Sequence, residues 1–184
     1  DRITRAPLKP QQRLKILKTF LIPRFIHILV LGRTSYGLLR KLDRQIRAAV
    51  RRWLRLPEDI PKAFFHSPIA SGGLGILSYE TAIPRLVLAR LDRLDKSQYD
   101  AARMVGSSAW AVRKRRWCGL AKRVEENWPA EFYGMVDGFE LREAGNVTAS
   151  TNWLDDPMIR VPSSEWLEYV KVWINALPTR IRTT

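Results

Sequence analysis

Cysteine is nearly absent from this chain of 184 residues; Cys118 stands alone. One cysteine excludes a disulfide framework and points to a reducing compartment. Histidine is almost as scarce, and His27 and His66, far apart, make no zinc site with that single thiol. His27 lies in an apolar stretch, where a packed, hydrogen-bonded imidazole is expected. Long hydrophobic runs are missing too. Phe20 to Leu31, broken by Pro23, Arg24 and His27, covers about twelve residues, where a membrane span needs about twenty. The opening residues are polar and basic, without a signal peptide, and the chain reads as a piece of a longer protein. Acids are in short supply: 18 Asp+Glu stand against 32 Lys+Arg, a net charge of +14 with a pI near 10.6. That balance suits a nucleic acid or an anionic membrane surface. With 46% hydrophobic residues and seven tryptophans, the chain can build a core and is no disordered basic tail.

What is present is organised around residues 38–56, LLRKLDRQIRAAVRRWLRL. At 100° per residue, Leu38, Leu42, Ile46, Ala49, Trp53 and Leu56 fall on one side of a helix. Arg40, Arg44, Arg47, Arg51 and Arg55 gather opposite, in a stripe roughly 80° wide and roughly 22 Å long. Only Asp43 is spaced to pair with a stripe arginine, Arg40 or Arg47. Asp59 follows Arg55 by four but lies beyond Pro57, where the helix should end. Most charged helix faces are simply solvated. Here the acids expected on such a face are missing, and an extended polyanion would relieve the mutual repulsion. Trp53, on the apolar side, is expected in the core and not as a base-stacking platform.

Charge is unevenly spread. Residues 1–70 hold 16 Lys+Arg and 4 Asp+Glu, residues 71–128 hold 11 and 6, and residues 129–184 hold 5 and 8. Anion binding is therefore expected in the first two thirds.

In chain order, Arg2 to Pro7 reads as an extended basic lead-in. Pro10 fits the first turn of a helix running to about Leu31, kinked at Pro23 and closed by Gly32, a core helix. Thr34 or Ser35 caps the organising helix, and the two make a helical hairpin. Residues 57–78, with three prolines and three glycines, read as loop. Within it, Gly72-Gly73-Leu74-Gly75 lacks both the following Gly-Lys-Ser/Thr of a phosphate loop and the preceding strand of a dinucleotide site. Turn glycines that let Phe64, Phe65 and Leu74 pack under the helices account for it better. A third helix, about Tyr79 to Leu94, turns Ile83, Val87, Leu91 and Leu94 inward, with Pro84 suited to its first turn.

These residues carry a resemblance. L-K-P-Q-Q-R-L (8–14), L-I-P-R-F-I-H (21–27), L-D-R-Q-I-R (42–47), W-L-R-L-P (53–57), F-F-H (64–66) and G-G-L-G-I (72–76) recur in order. Over about residues 7–95 the chain resembles the thumb of the reverse transcriptases of site-specific non-LTR retrotransposons, the lineage inserting into ribosomal RNA genes. In that family the thumb follows the palm and grips the template–primer duplex. The resemblance thus implies a ligand for the arginine stripe that periodicity alone does not identify.

Beyond Lys96 the composition changes. Ser107 or Ser108 can cap a helix through about Trp128, with Trp110, Trp117, Leu120 and Val124 inward. Arg113, Lys114, Arg115 and Arg116 form a basic run on it, which fans round the helix and cannot all meet one partner. It could be a nuclear-import signal, but inside a helix it reads better as a binding or solvated face. Cys118 is expected in the core, although neighbouring cations would activate the thiol were it exposed. Residues 129–162 read as irregular, with room for a short strand pair. Trp153-Leu154-Asp155-Asp156 copies a polymerase's paired aspartates only superficially, since Pro157 follows at once and a turn explains it. Asn146-Val147-Thr148 fits a glycosylation sequon, a frequent chance match. Ser163 caps a last helix with Trp166, Val170, Trp173 and Leu177 on one face. Residues 173–182, WINALPTRIR, resemble the family's linker motif between reverse transcriptase and endonuclease, which histidine usually opens where this chain has Trp173. In the family a nucleic-acid-contacting segment follows that motif, which makes Arg180 and Arg182 candidates. Packing at the end of a helix is an equal explanation.

The expectation is a mainly α chain: a thumb of about three helices over residues 1–96, then a helical linker region with an irregular stretch over 97–184. It would bind RNA or an RNA–DNA template–primer during target-primed reverse transcription, as a monomer, in the nucleus. No catalytic centre and no cofactor are expected in it; magnesium would serve the parent polymerase. Two other readings stand beside this one, a basic amphipathic membrane-surface module and a protein-docking scaffold in the linker half.

Overall fold

The computed structural model describes residues 2–121, 127–135, 138, 141–144 and 161–174. They are mainly helical, with no strand among them. The chain forms two compact units, each assembled from separated segments. Unit 1 comprises Asp1–Leu21, Gln45–Leu77 and Asn127–Thr184, and unit 2 comprises Ile22–Arg44 and Ser78–Glu126.

Helix α4 (Tyr36–Leu54) is the organising helix, its first half in unit 2 and its second in unit 1. Ser35 caps it, its Oγ accepting from the Leu38 amide at 3.3 Å. The helix is turned differently from the sequence expectation. Leu39, Asp43, Arg47, Val50, Trp53 and Leu54 are buried, while Leu38 is 41% exposed. Leu42, Ile46 and Ala49 are half-buried, so the exposed side is centred about 60° from the middle of the expected stripe. The reason is chemical: Asp43 and Arg47 have specific buried partners, and these outbid the hydrophobic periodicity.

In unit 1, α1 (Arg2–Arg5) replaces the expected extended lead-in. Helix α2 (Pro10–Ile16) starts at the expected proline, and Gln12 Oε1 accepts from the Lys9 amide at 3.0 Å. A π-helical turn over Leu17–Leu21 follows. It closely precedes Pro23, which cannot donate to the carbonyl four before it. Residues 57–78 are not all loop. Helix α5 (Lys62–His66) and a 3₁₀ turn (Ile69–Ser71) lie among the prolines. Phe64 and Phe65 are fully buried, and the amides of Leu74 and Ile76 donate to their carbonyls at 2.8 and 2.9 Å. A Cβ on Gly73 would meet the Ser67 carbonyl oxygen at 2.3 Å, and Gly72 has φ +79°, so these glycines are demanded by the turn. Helix α9 (Trp128–Tyr133) is capped by Asn127 and packs on α5, Phe132 lying 5.9 Å from the Phe64 ring. In unit 1 too are α10 (Leu141–Ala144) and α11 (Ser163–Trp173), with Trp166 and Val170 buried as expected. Where residues 129–162 are described they are partly helical. The Asp155–Asp156 pair, the Asn146 sequon, Val124 and Leu177 lie outside the described residues.

Unit 2 is built on α6 (Tyr79–Asp95), against which α3 (Ile22–Leu31), α7 (Asp100–Ser107) and α8 (Ala109–Ala121) pack. Ile83, Val87 and Leu91 are buried as the spacing implies. Three expectations are corrected. Helix α3 is not fully a core helix: Ile22, Leu29 and Val30 are buried, but Phe25, Ile28, Leu31 and His27 face outward. Helix α7 has no counterpart in the sequence reading. On α8, Ala111 and Cys118 form the buried side, while Trp110 is 37% exposed and Trp117 half-buried, a phase shift of about one residue. No described helix is long and apolar enough to cross a membrane.

Candidate nucleic-acid interface

Two of the five stripe arginines belong to unit 2. Between them sits Asp43, fully buried, which accepts from Ser78 Oγ at 2.8 Å and from the Tyr79 and Glu80 amides at 2.9 Å each. It therefore caps α6 from another helix, favourable to both the orphan amides and the helix dipole, and is not the ion-pair partner the spacing suggested. Beside it, Tyr79 Oη donates to the Ile22 carbonyl at 3.1 Å. Burial, with the Asp43 charge adding to it, pushes this phenol up to about 12. With Asp43 held inward, Arg40 and Arg44 turn outward. Arg40 Nε lies 3.4 Å from Glu80 Oε1, its guanidinium 5.5 Å from the Tyr36 ring, and Tyr36 Oη donates to the same carboxylate. The Arg40 side chain remains 65% exposed, whereas that of Glu80 is only 13% exposed. Arg44 makes no ion pair among the described residues.

The basic run on α8, also in unit 2, splits two and two. Arg113 and Arg116 are exposed. Lys114 donates to the Gly32 carbonyl at 2.9 Å and sits 5.3 Å from the Trp117 ring. Arg115 donates to the Gly106 carbonyl at 2.8 Å and pairs with Asp95. These two hold the unit together. The other two face solvent.

Burial pushes the Cys118 thiol up to about 11, Lys114 countering only in part. Cys118 in the folded chain should therefore react with a thiol reagent at pH 8 at least a hundredfold more slowly than in denaturant, since closed and protonated thiols are inert. Equal labelling rates with and without denaturant would overturn this.

In unit 1 the remaining stripe arginines have different fates. Arg47 is 8% exposed, and its Nη1 lies 3.1 Å from His66 Nε2, while His66 Nδ1 lies 2.9 Å from the Ile76 carbonyl. A guanidinium can only donate, so Nε2 accepts and the proton sits on Nδ1, facing the carbonyl. Arg51, half-buried, donates to the Ile60 carbonyl at 2.9 Å and lies 5.0 Å from the Phe65 ring. Arg55 is exposed. Trp53 is 5% exposed and donates from Nε1 to Thr4 Oγ1 at 2.9 Å, in the core as expected. Trp173 is half-buried and donates from Nε1 to the Gly72 carbonyl at 2.9 Å, so it ties α11 to the glycine turn. Arg180 and Arg182 lie outside the described residues. The sequence reading missed the exposed Arg2, Arg5 and Arg52; the signal for the first two was the helical turn that it took for extended chain.

The segments also redistribute charge. Unit 2 holds 16 Lys+Arg against 7 Asp+Glu, and unit 1 holds 16 against 11. Among the described residues no three His, Cys, Asp or Glu side chains gather as they would around a metal ion.

No family model matches the chain. It is 45% identical over 182 residues to the Pol polyprotein of the type-1 retrotransposable element R2 of Nasonia vitripennis, covering 99% of this chain and 18% of that protein. To the corresponding polyprotein of the type-2 element R2DM of Drosophila melanogaster it is 42% identical over 194 residues, covering 100% and 18%. To that of the R2 element of Bradysia coprophila it is 35% identical over 195 residues, covering 100% and 22%. These relatives are all retrotransposon Pol polyproteins, and the likeness runs through the helical, cation-rich stretches described above. Over nearly its whole length the chain is similar to one stretch of R2 non-LTR retrotransposon Pol polyproteins, at 35–45% identity. It spans about a fifth of the length of the curated relatives it matches.

Proposed function

We propose that the chain is the thumb, about residues 1–96, and the start of the linker, about residues 97–184, of an R2-type reverse transcriptase. It grips an RNA or RNA–DNA template–primer duplex during target-primed reverse transcription in the nucleus. Polymerase chemistry and its magnesium belong to other parts of the longer protein. The observation that carries the reading is the set of exposed guanidiniums on regular helices, Arg40 and Arg44 on α4 and Arg113 and Arg116 on α8. Arginines fixed in this way suit an A-form helix, whose wide minor groove is recognised by shape, backbone and 2′-OH.

The test is salt-dependent binding of a labelled RNA–DNA duplex by a variant with Arg44, Arg113 and Arg116 changed to Ala. Each lost phosphate contact flattens the slope of log affinity against log salt by about 0.9, so the triple variant should lose about 2.7 at most. Unchanged slope and affinity in a folded variant would end the assignment. Arg47 and Arg51 are left intact because their guanidiniums bond inside unit 1, and their loss would be read as misfolding.

A further inference from the structure

On α8 the fold leaves a tryptophan partly outside. The spacing of apolar residues would turn Trp110 inward, yet Ala111 and Cys118 form the buried side and Trp110 stays 37% exposed. Its indole N–H makes no hydrogen bond among the described residues, and no cation or second ring of theirs lies against its face. Trp117, seven residues on, differs: it is half-buried, with Lys114 Nζ 5.3 Å from its ring. Large, rigid tryptophans and arginines are the side chains that most often dominate recognition surfaces, so a free indole face beside exposed arginines calls for a partner.

The neighbours of Trp110 on the same helix give that partner's chemistry. Arg113 and Arg116 follow at three and six residues, both exposed, roughly 4.5 and 9 Å along the axis and roughly 60° and 120° round it. No acid occurs anywhere on α8, and unit 2 holds 16 Lys+Arg against 7 Asp+Glu, so the partner is an anion. A flat aromatic face with cations one and two turns away complements a nucleotide, a flat base joined to a charged phosphate. Inside a duplex each base face is already covered by its neighbours, and an indole fixed on a helix can stack only where a base is unpaired. We infer that Trp110 is a stacking platform for an unpaired base flanking the duplex, with Arg113 and Arg116 on the adjoining phosphates. The inference rests on the duplex-binding reading above and adds single-stranded nucleic acid to what α8 takes.

The test uses the 184-residue chain and two labelled RNA–DNA duplexes of equal paired length, one blunt and one whose RNA strand overhangs the DNA at both ends. The unaltered chain should bind the overhanging duplex more tightly and quench a fluorescent adenine analogue placed at the first unpaired positions. Trp110→Ala should weaken binding of the overhanging duplex by about five- to a hundredfold and abolish the quenching. The salt slope should stay the same, because stacking releases no counterions. Trp110→Phe, which keeps an aromatic face, should retain part of the affinity and part of the quenching. Equal affinity of the unaltered chain for the two duplexes, or no quenching by it, overturns the stacking role and leaves the duplex reading standing. An equal loss on the blunt duplex in Trp110→Ala would make the indole a support of the fold and also overturn that role. Failure of the unaltered chain to bind either duplex overturns both readings.

Discussion

Asp43→Ala is expected to cost the chain about 2–6 kcal/mol of stability, from three donors left without an acceptor, the two buried ones at about 1–3 kcal/mol each and the third part-buried. Those donors are the Ser78 hydroxyl and the amides of Tyr79 and Glu80, and Asp43 itself is fully buried. In a chain of this size that is a fall in Tm on the order of 10 °C. Asp43→Asn keeps one oxygen for part of the cap and should lose less than half as much. Denaturant melts of the two variants decide it, and a loss under about 1 kcal/mol for Asp43→Ala would mean that water can replace the carboxylate. The consequence reaches the surface. Arg40 and Arg44 lie three before and one after Asp43, so its anchoring to α6 sets the side of α4 that they present.

Trp53→Ala should cost about 3–5 kcal/mol, the usual range for removing a buried large aromatic. Trp53→Phe keeps most of the packing and loses only the donation to Thr4 Oγ1, about 1 kcal/mol. The two variants together separate the ring from its hydrogen bond. If the alanine variant lost no more than the phenylalanine one, the indole would not be a core residue. These experiments belong on the whole chain: a cut near residue 96 would divide both compact units.

Much of the helical architecture was legible in residue order. Ser35 and Pro10 mark helix starts through local backbone chemistry, and Ile83, Val87 and Leu91 announce a buried face by spacing alone. Trp53 was placed correctly even though its helix was rotated, because it lies on an edge common to the expected and the observed buried sides. The rotation itself was not legible. Periodicity weighs an aspartate or an arginine as polar and turns it outward, yet Asp43 and Arg47 are buried, each with partners distant in sequence. Likewise, Lys114 and Arg115 looked equivalent to Arg113 and Arg116 until Gly32, Gly106 and Asp95 were placed beside them.

By itself the sequence determined the helical class, the excess of positive charge, the family likeness in the motifs of residues 8–76, the starts of α2 and α4, and the glycine turn after α5. All of these depend on composition or on residues a few places apart. Only the tertiary structure decided which cations are surface and which are internal fastenings. It also decided that residues 127–184, with their excess of acids, join residues 1–21 and 45–77 in one unit. The physical reason is that a charged side chain's fate is set by whether a buried partner meets it, and that partner can lie anywhere in the chain.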